Sequence, residues 1–483
     1  MIFHGFPLTL APSFVALDAG QSGRGARDAR CAQPNQVLSQ CIDEGVIVSR
    51  KPALCRLLWF TCFLFAGLWS AQASAVPSFA RQTGMACAAC HTAFPELTAF
   101  GRQFKLNGYT MQSTPQVSDG DEKSPALQFS SIPPLSIMFL AAYTDTKGAN
   151  NAQQGTRSDL QFPQQFSLFY AGEITPHVGA MLQVTHTDGS SGFAMDNSEI
   201  RYADHHTLGS DKDLLFGLLA NNNPGMSDVW QTTPVWGYPY AGTLSIEKPL
   251  FASLGQAVGG MGAYALYDNS IYAELDLYKS LGTGGQDVPW TEAWTGQSPS
   301  AIAGWAPYWR LAYQTSFGDN YLEVGTLGMN TRLYATGTGS SGPTDSYRDL
   351  AIDAQFERTL GDDSIVVHAI LARESINLDA YRVANPGQPN VSFRTFNLNG
   401  SYHLGSNKTL QLAFVESTGD ASSAAQQTAG LKTGTRAGIL EAAYYPWENV
   451  RLSAQYTAYK KFAGASDGAS DNNTIYLLAW LAF

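Results

Sequence analysis

From about Ser124 to the C terminus the chain carries no long apolar run, and short segments of strict alternation recur instead. In "NVRLSAQYTAYK", Val450, Leu452, Ala454, Tyr456 and Ala458 fall on one face, and Arg451, Ser453, Gln455, Thr457 and Tyr459 on the other. "SIYAELDLYK" sets Ile271, Ala273, Leu275 and Leu277 against Tyr272, Glu274, Asp276 and Tyr278. "RDLAIDAQFER" sets Leu350, Ile352, Ala354 and Phe356 against Asp349, Ala351, Asp353, Gln355 and Glu357. Successive strand residues point to opposite faces, so period two with one apolar face predicts antiparallel strands.

A soluble β-sandwich shows the same alternation, and the lengths of the connections separate the two. Tight turns centre on Pro176-His177, Gly209-Ser210, Asp268-Asn269, Gly318-Asp319, Gly361-Asp362, Ser406-Asn407 and Glu448-Asn449. Between them run long loops such as "NNPGMSDVWQTTPVWGYPYAGT" and "STGDASSAAQQTAGLKTG". Short turns alternating with long loops over about sixteen strands are the pattern of an outer-membrane barrel. The chain also ends on a strand, "NTIYLLAWLAF", with Ile475, Leu477, Ala479 and Leu481 on one face and Phe483 last. The fold expected is all-β: an antiparallel outer-membrane β-barrel over residues 125–483, set in outer-membrane lipid. A soluble periplasmic β-protein is the competing fold.

Composition agrees. Charged residues make up 14 % of the 483, aromatics 12 %, and there are 46 glycines, a chain lean in helix formers and rich in strand and turn material. A net charge of −11 argues against nucleic acid as a partner.

The front of the chain reads differently. Ser49 to Arg56 form a basic stretch, Leu57 to Ser70 an apolar one, and Ala73-Ser74-Ala75 a small-residue cleavage site. This is a signal peptide over 46–75, with the mature chain starting at Val76. The apolar run is too short for a bilayer span, which needs roughly 20 residues. Residues 1–45 then precede a signal that ought to come first, and they read as a mis-called upstream extension, with an unusually long leader as the alternative. Cys31, Cys41, Cys55 and Cys62 all fall before Val76, so the mature chain keeps only Cys87 and Cys90.

Those two sit in Cys87-Ala-Ala-Cys90-His91. In c-type attachment two thiols join the haem and the adjacent histidine binds the iron, a task this spacing permits. A CxxC redox pair or a chance triplet is the plainer alternative. Pro95 is placed to open a helix and Asn107-Gly108 to close it, with Leu97, Phe100 and Phe104 on one apolar face and Gly101 allowing close approach. Arg81, Arg102 and Lys105 are available to haem propionates, or are solvated surface charges. The haem segment, 76–124, is too small to wrap a haem and keep its own core. A barrel of this size has a lumen to fill, so the segment is expected to plug it.

The stretch "PSFARQTGMACAACHTAFPELTAFGRQFKLNGY", Pro77 to Tyr109, followed by such a barrel, resembles the fused outer-membrane monohaem cytochrome–porin iron oxidases, of the iron:rusticyanin reductase type found in acidophilic iron-oxidising bacteria. Residue by residue the resemblance rests on the haem segment. It implies one covalently bound haem c held by Cys87, Cys90 and His91. It also implies an oxidoreductase that oxidises extracellular Fe(II) and delivers electrons to a periplasmic acceptor, rusticyanin or a soluble cytochrome c. Lumen carboxylates Glu274, Asp276, Asp353 and Glu357 are candidates to guide the cation inward, or simply the polar lining of a lumen. The sixth iron ligand is open. Met111 beyond the helix is the candidate, with Met181, His368 and His403 as barrel-borne alternatives and Met85 read as packing. Two other functions compete: a porin or channel with a haem-bearing plug, and a soluble periplasmic cytochrome with an all-β enzyme domain.

Overall fold

The computed structural model describes residues 78–111, 116–118, 128–130, 133–148, 158–190, 192–209, 211–232, 246–281, 301–335, 341–387, 389–420 and 434–483. The signal peptide, the upstream extension and the start at Val76 lie outside these residues. Sixteen long antiparallel strands close into one barrel. Numbering only these, they are β1 Leu135–Thr146, β2 Ser158–Thr175, β3 Val178–Thr187, β4 Glu199–Leu208, β5 Lys212–Asn221, β6 Val258–Tyr267, β7 Ile271–Ser280 and β8 Ala306–Phe317. The rest are β9 Asn320–Tyr334, β10 Thr344–Leu360, β11 Asp363–Asn377, β12 Val391–Leu404, β13 Lys408–Gly419, β14 Arg436–Trp447, β15 Val450–Lys461 and β16 Thr474–Ala482. A two-residue strand, Ala194–Met195, adds to β3 within a loop. The barrel closes where β16 pairs with β1, from Thr474 opposite Thr146 to Ala482 opposite Met138.

Each tight turn read from the sequence falls between consecutive strands, and all of them lie at one end of the barrel. In outer-membrane barrels that is the periplasmic end. β1 begins there and β16 ends there, so the chain enters the barrel from the periplasmic side.

The alternation is also as read, with the apolar face turned outward. Leu275, Leu277, Leu311, Leu350, Ile352, Leu412, Leu440 and Leu452 are exposed, while their neighbours Asp276, Arg310, Asp353, Gln411, Glu441 and Arg451 are buried. A protein with leucines on its surface and charges inside requires a hydrocarbon surround, because only lipid makes that exposure favourable. Exposed Tyr267, Tyr313, Phe317, Tyr444 and Trp447 cluster near the short turns, where an aromatic girdle marks the membrane boundary.

Part of the lumen is occupied by protein. The described parts of the connection after β5, residues 222–232 and 246–257, turn inward. Trp230 and Val229 meet Leu215, Leu219, Leu266 and Tyr272 of the wall in an apolar cluster. Leu250, Phe251 and Leu254 join Tyr278, Tyr308, Met329 and Ile370 nearer the long-loop end. Two wall carboxylates hold this second patch: Glu374 accepts from the Leu250 N–H at 2.6 Å and Asp349 from the Phe251 N–H at 2.9 Å. From below, Leu106 of the N-terminal segment reaches the Trp230 cluster.

Candidate functional site

The N-terminal segment lies across the periplasmic mouth. It contains α1 (Ser78–Thr83), α2 (Cys87–Cys90) and α3 (Ala99–Leu106), with a small hairpin of His91–Ala93 and Glu96–Leu97 between the last two. Helix α3 starts four residues later than the sequence suggests. Thr98 caps it, accepting from the Gly101 N–H at 3.1 Å, while Pro95 is spent on the hairpin turn. Its end is as read, with Asn107 as cap and Gly108 at a φ of 71°.

Helices α2 and α3 touch. A Cβ on Gly101 would lie 2.2 Å from the Cys90 carbonyl oxygen, so this crossing admits only glycine. The Thr98 N–H donates to the same carbonyl at 2.9 Å, and its hydroxyl donates to the Ala89 carbonyl at 2.6 Å. The Cys87–His91 motif is thereby fixed to α3.

The segment is fixed to the wall in turn, by the very charges the sequence offered to propionates or solvent, Arg102 and Lys105 on α3 and Arg81 on α1. Arg102 pairs with Glu357 at 2.5 Å and lies 4.4 Å over the Tyr321 ring. Lys105 donates to the Met226 carbonyl and lies 3.7 Å from Glu199. Arg81 donates to the Leu135 carbonyl. The expected apolar face is split as well: Phe104 packs edge-on to Phe79 at 5.1 Å, whereas Phe100 is 38 % exposed. Beyond α3, the Tyr109 hydroxyl donates to Glu199 at 2.7 Å, and Gly179 of β3 leaves room for the Gly108 carbonyl.

All four lumen carboxylates point inward as read. Glu357 is taken by Arg102, and Asp353 by Arg310 at 2.6 Å. Glu274 accepts from Tyr272 at 2.7 Å and Asp276 from Tyr278 at 3.1 Å. Among the described residues no group of three or more His, Cys, Asp or Glu side chains is arranged to hold a metal ion.

The motif itself borders a cavity of about 370 Å³ that opens between the β12–β13 and β14–β15 turns. Cys87, His91, Phe94, His403, Asn407 and Glu448 are among its lining. Glu448 accepts from the Cys87 N–H at 3.2 Å, and Arg451, at the start of β15, donates to the Phe94 carbonyl at 2.7 Å, so the β14–β15 turn holds the motif and the hairpin that follows it. His91 Nδ1 lies 3.2 Å from the Glu96 carbonyl. A carbonyl only accepts, so Nδ1 carries the proton and Nε2 keeps its lone pair, the tautomer that a metal-ligating histidine presents. Burial lowers the His91 pKa to about 4, leaving the ring neutral near pH 7. Burial, with the nearby Glu448 charge, raises the Cys87 thiol to about 11, and burial also raises Cys90.

These residues fit a c-type haem: two free thiols, a neutral imidazole with Nε2 unprotonated, and an adjoining space bordered by an aromatic ring. Met111 is outside the cavity. It follows Tyr109, which is anchored to β4, at the other end of α3 from the motif. Met85, Met181 and His368 do not line the cavity either, and His403 does.

Neither a protein-family model nor a curated protein matches the chain. Among solved structures it is similar to a loop-deletion mutant of the outer-membrane protein OmpT of Vibrio cholerae, at 11 % identity over 72 % of this chain and 98 % of that one, with a TM-score of 0.42. An anion-selective porin from Comamonas acidovorans gives 11 %, 72 %, 98 % and 0.42. Salmonella typhi OmpF gives 12 %, 72 %, 97 % and 0.44.

Proposed function

We propose that this chain is an outer-membrane c-type cytochrome, an oxidoreductase that takes electrons from extracellular Fe(II) and passes them to a periplasmic acceptor, rusticyanin or a soluble cytochrome c. The carrying observation is the Cys87–His91 motif, pinned at the periplasmic mouth beside an open cavity with His91 held in its ligating tautomer. Cys87 and Cys90 would hold the haem through thioethers and His91 would bind its iron. Bound haem c supplies a reversible one-electron couple.

The protein's own part is placement. Glu96 orients His91, the β12–β13 and β14–β15 turns frame the cavity, and its open side faces the compartment where a soluble acceptor diffuses. Fe(II) as donor rests on the resemblance of Pro77–Tyr109 to the cytochrome–porin iron oxidases.

The test is direct. Detergent-purified protein should give a haemochrome spectrum with one haem per chain, and Fe(II), added at acidic pH and again near neutral pH, should reduce it in at least one of the two. A haem that stays oxidised with Fe(II) removes the oxidase reading. The barrel fold itself favours the second reading, a channel with a haem-bearing plug, and steady conductance of the wild type in planar bilayers would select it.

A further inference from the structure

Resting on the haem reading above, we infer that His403 is the second axial ligand, so that the iron is held between two histidines, His91 from the N-terminal segment and His403 from the barrel wall. His403 is the penultimate residue of β12, beside the turn that frames the cavity, and it lines the same cavity as Cys87 and His91. It is 4 % exposed, and its Nε2 has no hydrogen-bond partner among the described residues. A carboxylate oxygen, Glu96 Oε1, lies 3.9 Å from that nitrogen.

The other ring nitrogen is occupied. Nδ1 lies 3.0 Å from the Thr409 hydroxyl, which can accept its proton. In that arrangement Nε2 carries a lone pair and no hydrogen. His91 is held in the same way, with Nδ1 on the Glu96 carbonyl. A buried imidazole without a partner at one nitrogen is costly in a structural role; as a ligand it is satisfied. Glu96 links the two rings, its carbonyl oriented to His91 and its carboxylate beside His403.

The competing donors are elsewhere. Met85, Met111, Met181 and His368 are all absent from the cavity lining. Two histidines give a lower reduction potential than a histidine with methionine. The assignment therefore also narrows the donor class: Fe(II) in a form, such as Fe(II) near neutral pH or bound by oxygen ligands, whose potential lies below that of a bis-histidine haem.

The wild-type holoprotein, purified in detergent, decides first. Its ferric form should be low-spin by electron paramagnetic resonance, with no sulfur-to-iron near-infrared band. That band, if present, overturns the assignment. His403→Ala should lose the low-spin signal and bind carbon monoxide in its ferrous form, whereas Met111→Leu should match the wild type. His403→Met should gain the sulfur band and a raised potential. A His403→Ala protein that keeps the wild-type low-spin spectrum overturns the assignment while leaving the haem reading intact. If His403→Ala fails to give a heat-modifiable band, the wild-type spectrum and His403→Met decide between histidine and methionine. Absence of any haemochrome in the wild type overturns the haem reading, and this assignment with it.

Discussion

Replacing Arg310 by methionine should unlock the lumen. Arg310 lies on β8 with its side chain wholly buried, 2.6 Å from Asp353, 3.3 Å from Glu323 and 3.3 Å from Asp228, each carboxylate also at 0 % exposure. Asp228 belongs to the inward connection, and the other two belong to the wall, so this one guanidinium ties plug to barrel. It also lies 5.0 Å over the ring of Trp230, and Thr232 of the same connection donates to Asp353 at 2.7 Å. Methionine keeps most of the volume and removes the charge, leaving three buried carboxylates facing one another. Breaking a buried ion pair by removing one partner costs about 3–5 kcal/mol. At roughly 1.4 kcal/mol per tenfold, the population with residues 222–232 released from the wall rises by about two to four orders of magnitude. Several anchors survive, among them Lys105 to the Met226 carbonyl, Arg201 to the Ser227 carbonyl at 3.0 Å, Trp230 to the Tyr321 hydroxyl at 2.6 Å and Thr232 to Asp353. Opening should therefore be intermittent. The assay is single-channel recording in planar bilayers, in which the wild type is silent and R310M shows resolved openings. An R310M protein that is heat-modifiable on gels, hence a folded barrel, yet as silent as the wild type would refute the reasoning.

Gly101→Ala forces α3 away from the Cys90 carbonyl; overpacking of this kind costs about 1–3 kcal/mol, and limited proteolysis of the segment should accelerate while the barrel stays intact. Leu412→Arg places a charge on the lipid face midway along β13, and should lower barrel stability by about 2–4 kcal/mol in a urea titration. In protein made without haem attachment, Cys87, with its thiol raised to about 11, stays protonated near neutral pH. Its alkylation, followed by mass spectrometry, should be slow at pH 7 and speed up as the pH climbs toward 11.

Much of the barrel is legible in the sequence because its determinants are local. Alternation in β7, β10 and β15 names the two faces residue by residue, and Asp268-Asn269 or Gly361-Asp362 fixes where strands reverse. The Cys87-Ala-Ala-Cys90-His91 motif is legible for the same reason, its two thiols and its imidazole lying within five residues. What escapes is pairing at long range. Nothing near Arg102 or Lys105 announces Glu357 or Glu199, so two charges that read as surface residues are buried docking contacts. The connection after β5 reads as one more external loop. Its Leu250, Phe251 and Leu254 are a signal of burial, but only the closed barrel shows which cavity they fill. Pro95 suits the first turn of a helix, whereas the Thr98 hydroxyl supplies the better cap and moves the start of α3 beyond it. His403 can be named as a candidate, yet its nearness to His91 depends on a barrel register that brings together residues more than three hundred positions apart.

The N-terminal segment also straddles the seam of the barrel. Arg81 holds the carbonyl of Leu135 at the start of β1, and the Phe94 ring lies 6.1 Å from that of Trp480 in β16. First and last strands are the pair that must find each other for the cylinder to close. The segment is thus a clasp as well as a plug: its two grips come within reach of each other only after the final strand has docked. Docking of the segment across both strands is in this way a record that the barrel has closed.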